Sequence, residues 1–258
     1  MRLNTPIVEW RDRSVWIVGA SAGIGMALAK YLISLEATVT VSARDSETLK
    51  REFDDQANVV SLDVTDEHDI NNAIGLLASQ HQPIDTVFWL PATYQPGALI
   101  KQNIEDTLSR LDTNILSAFR VFPRVAKHWI QNPIVGKKYH WIWFSSLASY
   151  RGLPNSSDYG ASRAAITHFA ESTYLELKNN RIDISVVSPG FVDTRLTQKN
   201  EFHMPFMISA KEAAHRTIDG LRKGKFEVHF PKRMSFWFKL LRILPIGVYL
   251  RLMKLTRK

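Results

Sequence analysis

The chain has 258 residues, 45% of them apolar and 10% aromatic, which is enough for one substantial core. It has no cysteine, so disulfides and thiolate metal sites are excluded; no histidine pair has metal-ligand spacing, and no metal site is expected. The net charge of +8 is uneven: residues 222–258 carry eleven Lys/Arg against the single acid Glu227, a net +10, which leaves −2 for everything before them.

Residues 1–13 hold no long apolar run, so no secretory signal is expected. No apolar stretch approaches the roughly 20 residues needed to span a bilayer. A soluble, cytoplasmic chain is the expectation.

Near-continuous apolar runs, the pattern of strands covered on both faces, occur at 15–18, 38–41, 59–62, 86–90, 141–145, 184–188 and 226–230. Helical patterns alternate with them at about 23–35, 46–53, 66–80, 102–131, 157–179 and 209–223. This alternation predicts an α/β fold: a single-domain, doubly wound, Rossmann-type parallel sheet of about seven strands flanked by helices. That domain is expected to fill 1–231, and 232–258 reads as a basic amphipathic helical extension.

The first strand runs into Gly19-Ala-Ser21-Ala-Gly23-Ile24-Gly25 and then into a helix. Glycines so placed permit a tight turn and let backbone approach a pyrophosphate, whose charge the amides at the helix start receive. A merely flexible turn is the plainer reading. The second strand ends Ser42-Ala43-Arg44: the place where a carboxylate would select NAD is empty, and Arg44 supplies a cation suited to a 2′-phosphate. The cofactor reading is therefore NADP(H), with Asp45 on a ribose hydroxyl as the competing one.

Farther on, Ser145-Ser146 precede Tyr159 and Arg163 on a predicted helix. Residues four apart share a helix face, so a permanent cation lies beside the phenol and favours its phenolate. That suits proton transfer to or from a substrate oxygen, although Tyr-x-x-x-Arg is also a common surface pair.

Gly19-x-x-x-Gly23-x-Gly25 followed by Ser146, Tyr159 and a cation at 163 resembles the short-chain dehydrogenase/reductase family over about residues 12–231. The resemblance implies Tyr159 as general acid/base, Ser146 rather than Ser145 as the partner of the substrate oxygen, and Asn114 as the helix asparagine that organises the site. It further implies cofactor contacts from Asp63 and Val64, from Arg163, and from Pro189, Gly190, Val192 and Thr194 of the Pro-Gly-x-x-x-Thr element. A homodimer or homotetramer through the helices at 102–131 and 157–179 is implied as well.

Three positions depart from the family pattern. Arg163 stands where the family has lysine; it keeps the charge but does not release a proton. Trp89-Leu90-Pro91-Ala92 replaces Asn-Asn-Ala-Gly, and Val18 replaces a threonine.

In the family the segment after the sixth strand covers the substrate. Here it supplies Phe202, Met204, Phe206, Met207 and Ile208, with Tyr94, Leu147 and Phe191 beside them; filling core is the alternative role. The implied substrate is a hydrophobic ketone or secondary alcohol. His203 reads as a loop residue.

Pro245 divides the tail into two short helical pieces. Phe236, Leu240 and Ile243/Leu244 form one apolar stripe, Tyr249/Leu250 and Met253 continue another, and Arg251, Lys254 and Lys258 line a polar face. Three occupants suit it: an anionic membrane surface at its inner, cytoplasmic face, the chain's own body or a second subunit, or an acidic protein such as an acyl carrier. Nucleic acid is not expected, because no groove-reading motif is present.

The function expected is an NADP(H)-dependent oxidoreductase acting on a CH–OH group. The alternatives are a weakly active or inactive dinucleotide-binding, membrane-peripheral or regulatory protein, and a 3-oxoacyl (acyl-carrier) reductase.

Overall fold

The computed structural model describes residues 2–78 and 83–255. Strands β1 (Ser14–Val18), β2 (Thr38–Ala43), β3 (Asn58–Ser61), β4 (Thr86–Trp89), β5 (Tyr139–Phe144) and β6 (Ile182–Pro189) are joined through the helices α1 (Gly23–Ser34), α2 (Ser46–Phe53), α3 (Glu67–Ala78), α4 (Ile104–Leu111), α5 (Ser117–Gln131) and α6 (Ser157–Leu177). Then follow the short strands β7 (Val192–Asp193) and β8 (Ile208–Ser209), helix α7 (Ala210–Arg222), strand β9 (Glu227–Phe230), and helices α8 (Lys232–Ile243) and α9 (Ile246–Leu255).

Seven strands form one parallel sheet in the order β3-β2-β1-β4-β5-β6-β9. Successive side chains on a strand point to opposite faces, and the burial follows that rule. Val15 and Ile17 join the layer under α1, α2 and α7, whereas Trp16 and Val18 join the layer under α3, α5 and α6. The second layer is dominated by aromatics: Trp141 packs against Trp89 (ring centroids 5.8 Å), Trp143 (5.1 Å) and Phe122 (5.0 Å). The strand order reverses between β1 and β4, and a crevice opens there at the carboxyl ends of the strands, where such sheets bind ligands.

The sequence pattern and the fold differ in places. The helix expected over 102–131 is interrupted by one π-helical turn at Asp112–Leu116, with Asn114 at its centre; a single wide turn of this kind re-aims side chains within a helix. The β7–β8 pair, two residues each, was not legible as strand. The helix expected at 66–80 runs Glu67–Ala78, and residues 79–80 lie outside the described residues, as does Lys258 of the tail's polar face.

Candidate active site

The crevice is lined by the turn Gly19 to Gly25, by Arg44, Asp63 and Val64, by the segment 90–97, by Ser145 to Ala148, by Tyr159 and Arg163, and by Pro189 to Thr194. Its volume is about 1460 Å³. Every residue that the sequence reading assigned to the cofactor borders this one space.

The glycine turn is built for close approach. Gly23 takes φ +57°, and a Cβ there would lie 2.9 Å from the Thr194 methyl group. At Gly25 a Cβ would fall against the Gly19 carbonyl oxygen, well inside van der Waals contact. Helix α1 has no side-chain cap and no acid in its first turn, so the donors of that turn are left without a side-chain acceptor. The combination can receive an anionic phosphate. Arg44 is exposed at the rim. Asp45 is spent otherwise: its carboxylate accepts from the Thr48 amide (3.0 Å) and hydroxyl (2.6 Å), capping α2 and lying below its usual pKa because of those bonds.

Strand β5 delivers the two serines with different fates. The Ser145 hydroxyl is buried against the Arg163 carbonyl (2.8 Å) and the Thr167 hydroxyl (2.7 Å). The Ser146 hydroxyl is half-buried at the crevice; it accepts from the Ala148 amide (3.1 Å) and donates to the Pro189 carbonyl (3.4 Å). Tyr159 enters from the first turn of α6, and among the described residues its hydroxyl has no protein hydrogen-bond partner. Its ring meets Tyr94 at 5.0 Å, tilted 60°.

Arg163 is 2% exposed and has no carboxylate partner among the described residues. Its guanidinium sits 5.5 Å from the Tyr159 ring centroid and donates to the Phe144 carbonyl (3.1 Å) and the Asn114 carbonyl (2.8 Å). The Nε atom is buried without a partner. Burial pushes this guanidinium below its usual pKa, and the neighbouring phenol opposes that shift. The cation therefore lies beside the ring of Tyr159, while two of its donors are held by backbone.

Asn114 is 2% exposed and does not border the crevice. Its side chain accepts from the Thr93 amide (2.7 Å) and donates to the Thr93 carbonyl (2.9 Å) and Ser162 hydroxyl (3.4 Å). The wide turn aims it there, so its side chain clamps the loop after β4. This clamp ties down the loop in which Trp89-Leu90-Pro91-Ala92 lacks its own polar pair, a connection the sequence did not reveal.

Of the residues assigned to substrate, Tyr94, Leu147, Phe191 and Phe202 border the crevice; Met204 and Phe206 do not. Met204 is turned to Asn200, whose amide donates to its sulfur at 3.4 Å. Phe206 adopts a left-handed backbone (φ 59°) ahead of β8, and the residue is 45% exposed. Ile208 is a core residue on β8. The covering segment is closed by a clasp: the Tyr94 hydroxyl donates to Asn200 (3.0 Å), and Lys199 donates to the Tyr94 carbonyl (2.8 Å). Two further lining residues, Met234 and Phe238, come from the tail. Their four-residue spacing was the available signal, and it lay on the opposite side of α8 from the stripe read in the sequence.

A family model described as short chain dehydrogenase matches residues 13–204. A Myxococcus xanthus protein named only as an uncharacterized oxidoreductase is 28% identical over 245 residues, covering 93% of this chain and 95% of its own. The 3-oxoacyl-[acyl-carrier-protein] reductase MabA of Mycobacterium tuberculosis is 28% identical over 187 residues, 72% of each chain. A short chain dehydrogenase of Burkholderia cenocepacia, solved in complex with NADP, shares the fold at TM-score 0.81 and 20% identity, over 95% of this chain and 98% of its own.

Proposed function

The chain belongs to the short-chain dehydrogenase/reductase family, and from that premise we propose that it is an NADP(H)-dependent oxidoreductase acting on an apolar ketone or secondary alcohol, with Tyr159 as the proton-transfer group. The observation that carries this reading is the shared crevice: the glycine turn, Arg44, Ser146, Tyr159 and Arg163 all border it. Arg44 with Ala43 favours a 2′-phosphate over free ribose hydroxyls, and Asp45 is engaged in capping α2. The cofactor supplies hydride to carbon; this chain's residues manage the oxygen.

Ser146 holds the substrate oxygen by turning its one O–H from the long 3.4 Å bond to the Pro189 carbonyl onto the substrate, while its oxygen goes on accepting from the Ala148 amide. Tyr159 gives that oxygen its proton in reduction and takes it back in oxidation. Arg163 keeps a positive charge on the ring but does not relay the proton, because a buried guanidinium fixed on two carbonyls does not give one up. The apolar contacts come from Leu147, Phe191, Phe202 and Phe238, which suits a hydrocarbon or 3-oxoacyl chain. We take residues 1–231 as the catalytic domain and 232–258 as its attachment to an anionic membrane surface. A homodimer or homotetramer would cover the exposed Leu108, Phe119 and Leu175 of α4, α5 and α6.

The test is oxidation of NADPH against NADH by purified protein, with a panel of apolar ketones including 3-oxoacyl thioesters, beside Tyr159→Phe. Cofactor binding with no turnover above that variant in either direction favours the second reading, a dinucleotide-binding protein of little activity. The observation behind that alternative is the engagement of Arg163 by backbone carbonyls.

A further inference from the structure

The carboxyl-terminal hairpin of α8 and α9 has a fixed inner side. Met234 and Phe238 line the crevice, and the Tyr249 hydroxyl donates to the Gly152 carbonyl at 2.5 Å. Arg151 donates to the carbonyls of Arg242 (2.8 Å) and Leu244 (2.7 Å) and lies 5.1 Å from the Tyr249 ring centroid. Lys239 bonds Glu227 at 2.8 Å, and Glu227 in turn accepts from Tyr150. Both helices and the bend between them are thus fastened to the body.

The outer side is a different surface. Phe236, Trp237 and Ile243 of α8 and Ile246, Leu250 and Leu255 of α9 are each more than half exposed. Helices apolar on two sides are ordinarily buried on two sides, and apolar patches of this extent mark an interaction surface. Between 232 and 255 there are six cations and no acid; Lys239 is held on Glu227 and Arg242 lies over the Tyr150 ring, which leaves the exposed Lys232, Arg233, Arg251 and Lys254 without an acidic partner among the described residues. The apolar rim continues onto the covering segment, where Phe202, 54% exposed, packs on Phe191, and Phe191 packs against the Met234 and Phe238 cluster.

We infer that the outer face of α8–α9 docks on an anionic lipid bilayer and sets the mouth of the crevice against it, so that an apolar substrate enters from the lipid between Phe202 and Phe238. Charge selects this occupant. A second copy packed face to face would bring cations against cations with no acid between them, whereas anionic headgroups neutralise the cations while the acyl boundary takes up the aromatic and aliphatic side chains. Docking stands on this surface alone; the delivery step rests on the proposed function.

The docking test reads no turnover. Full-length protein is mixed with phosphatidylglycerol–phosphatidylcholine vesicles carrying a bromine quencher on the acyl chain. Trp237 is 58% exposed and the other six tryptophans are 3% exposed or less, so quenching reports the hairpin. Quenching and co-sedimentation are expected at low salt, weakening as the Debye length shrinks from about 10 Å to about 3 Å between 0.1 and 1 M salt. Trp237→Phe abolishes the signal and keeps the sedimentation. The triple variant Phe236→Ser, Ile243→Ser, Leu250→Ser lowers partitioning at least about tenfold, the direction set by lost apolar burial.

Equal binding to purely phosphatidylcholine vesicles, or none at low salt, overturns the proposal. So does capture by an acidic carrier protein, or concentration-dependent self-association abolished by the triple variant, without vesicle binding. For delivery, a ketone dissolved in anionic vesicles should turn over several-fold faster than in zwitterionic ones, for wild type and not for the triple variant. Equal rates overturn delivery. Vesicle docking with no NADPH oxidation on any ketone would instead remove the enzymatic reading and leave the surface.

Discussion

Replacing Asn114 by alanine isolates a residue that does not border the crevice and yet holds a loop that does. The variant removes four hydrogen bonds, two with the Thr93 backbone at 2.7 and 2.9 Å and weaker ones with the Ser162 hydroxyl at 3.4 Å and the Thr93 hydroxyl at 3.5 Å. Leaving a buried backbone group unpaired costs about 1–3 kcal/mol, but Thr93 is only half-buried, so water recovers part of the loss. The net is about 2 kcal/mol, and at about 2–4 °C per kcal/mol for a chain of this size the Tm falls by about 4–8 °C. The freed loop carries Tyr94, whose ring lies 5.0 Å from Tyr159. A displacement near 1 Å at reacting groups costs about a hundredfold in rate, so kcat should drop between about tenfold and a hundredfold. The dissociation constant for NADPH, read by fluorescence titration, should not move. Wild-type Tm and kcat, or a loss of NADPH affinity matching the loss of turnover, would refute the clamp.

Tyr159→Phe should lower kcat by about 10²–10⁴-fold, the usual worth of a general acid, with NADPH affinity retained in a titration. Gly25→Ala should abolish NADPH binding by calorimetry while circular dichroism stays that of the wild type, since its Cβ meets the Gly19 carbonyl. Arg163→Lys should raise the hydride-transfer rate or move the pH profile of kcat/KM; an unchanged rate and profile would mean that the cation at 163 is not coupled to Tyr159. For pH, burial holds His140 neutral with its pKa down at about 4, below the ordinary 6.5. The unfolded chain therefore binds the extra proton between those values, and stability present at neutral pH is lost as pH falls from about 6.5 toward 4. His140→Gln should flatten that slope in melting curves taken across the window, and an identical slope would exclude His140 as its source.

Reading the cofactor turn from sequence worked because its requirement is local. Gly19, Gly23 and Gly25 answer to backbone geometry within seven residues, and Tyr159 and Arg163 are brought together by one helical turn. The sheet was readable for a related reason: strands covered on both faces must be apolar throughout, and that leaves a mark at each of seven places. Asn114 was legible only as a family position. Which way its side chain turns depends on the π turn beneath it and on Thr93, twenty-one residues away in sequence.

Where a side chain's direction is set by partners distant in sequence, the pattern alone had no purchase. Family spacing preferred Ser146 to Ser145, but the residues themselves could not show Ser145 bound to Arg163 and Thr167, nor commit Asp45 to its helix cap. The pattern put Met204 and Phe206 in the covering segment but could not see that the chain turns them off the crevice. It found the apolar stripes of the tail, yet not that Met234, Phe238 and Tyr249, the last a member of one stripe, bind the tail to the body and leave Phe236, Ile243 and Leu250 outward. Local spacing fixes which residues lie near one another on an element; only packing of the elements decides which of their faces meets protein and which meets solvent.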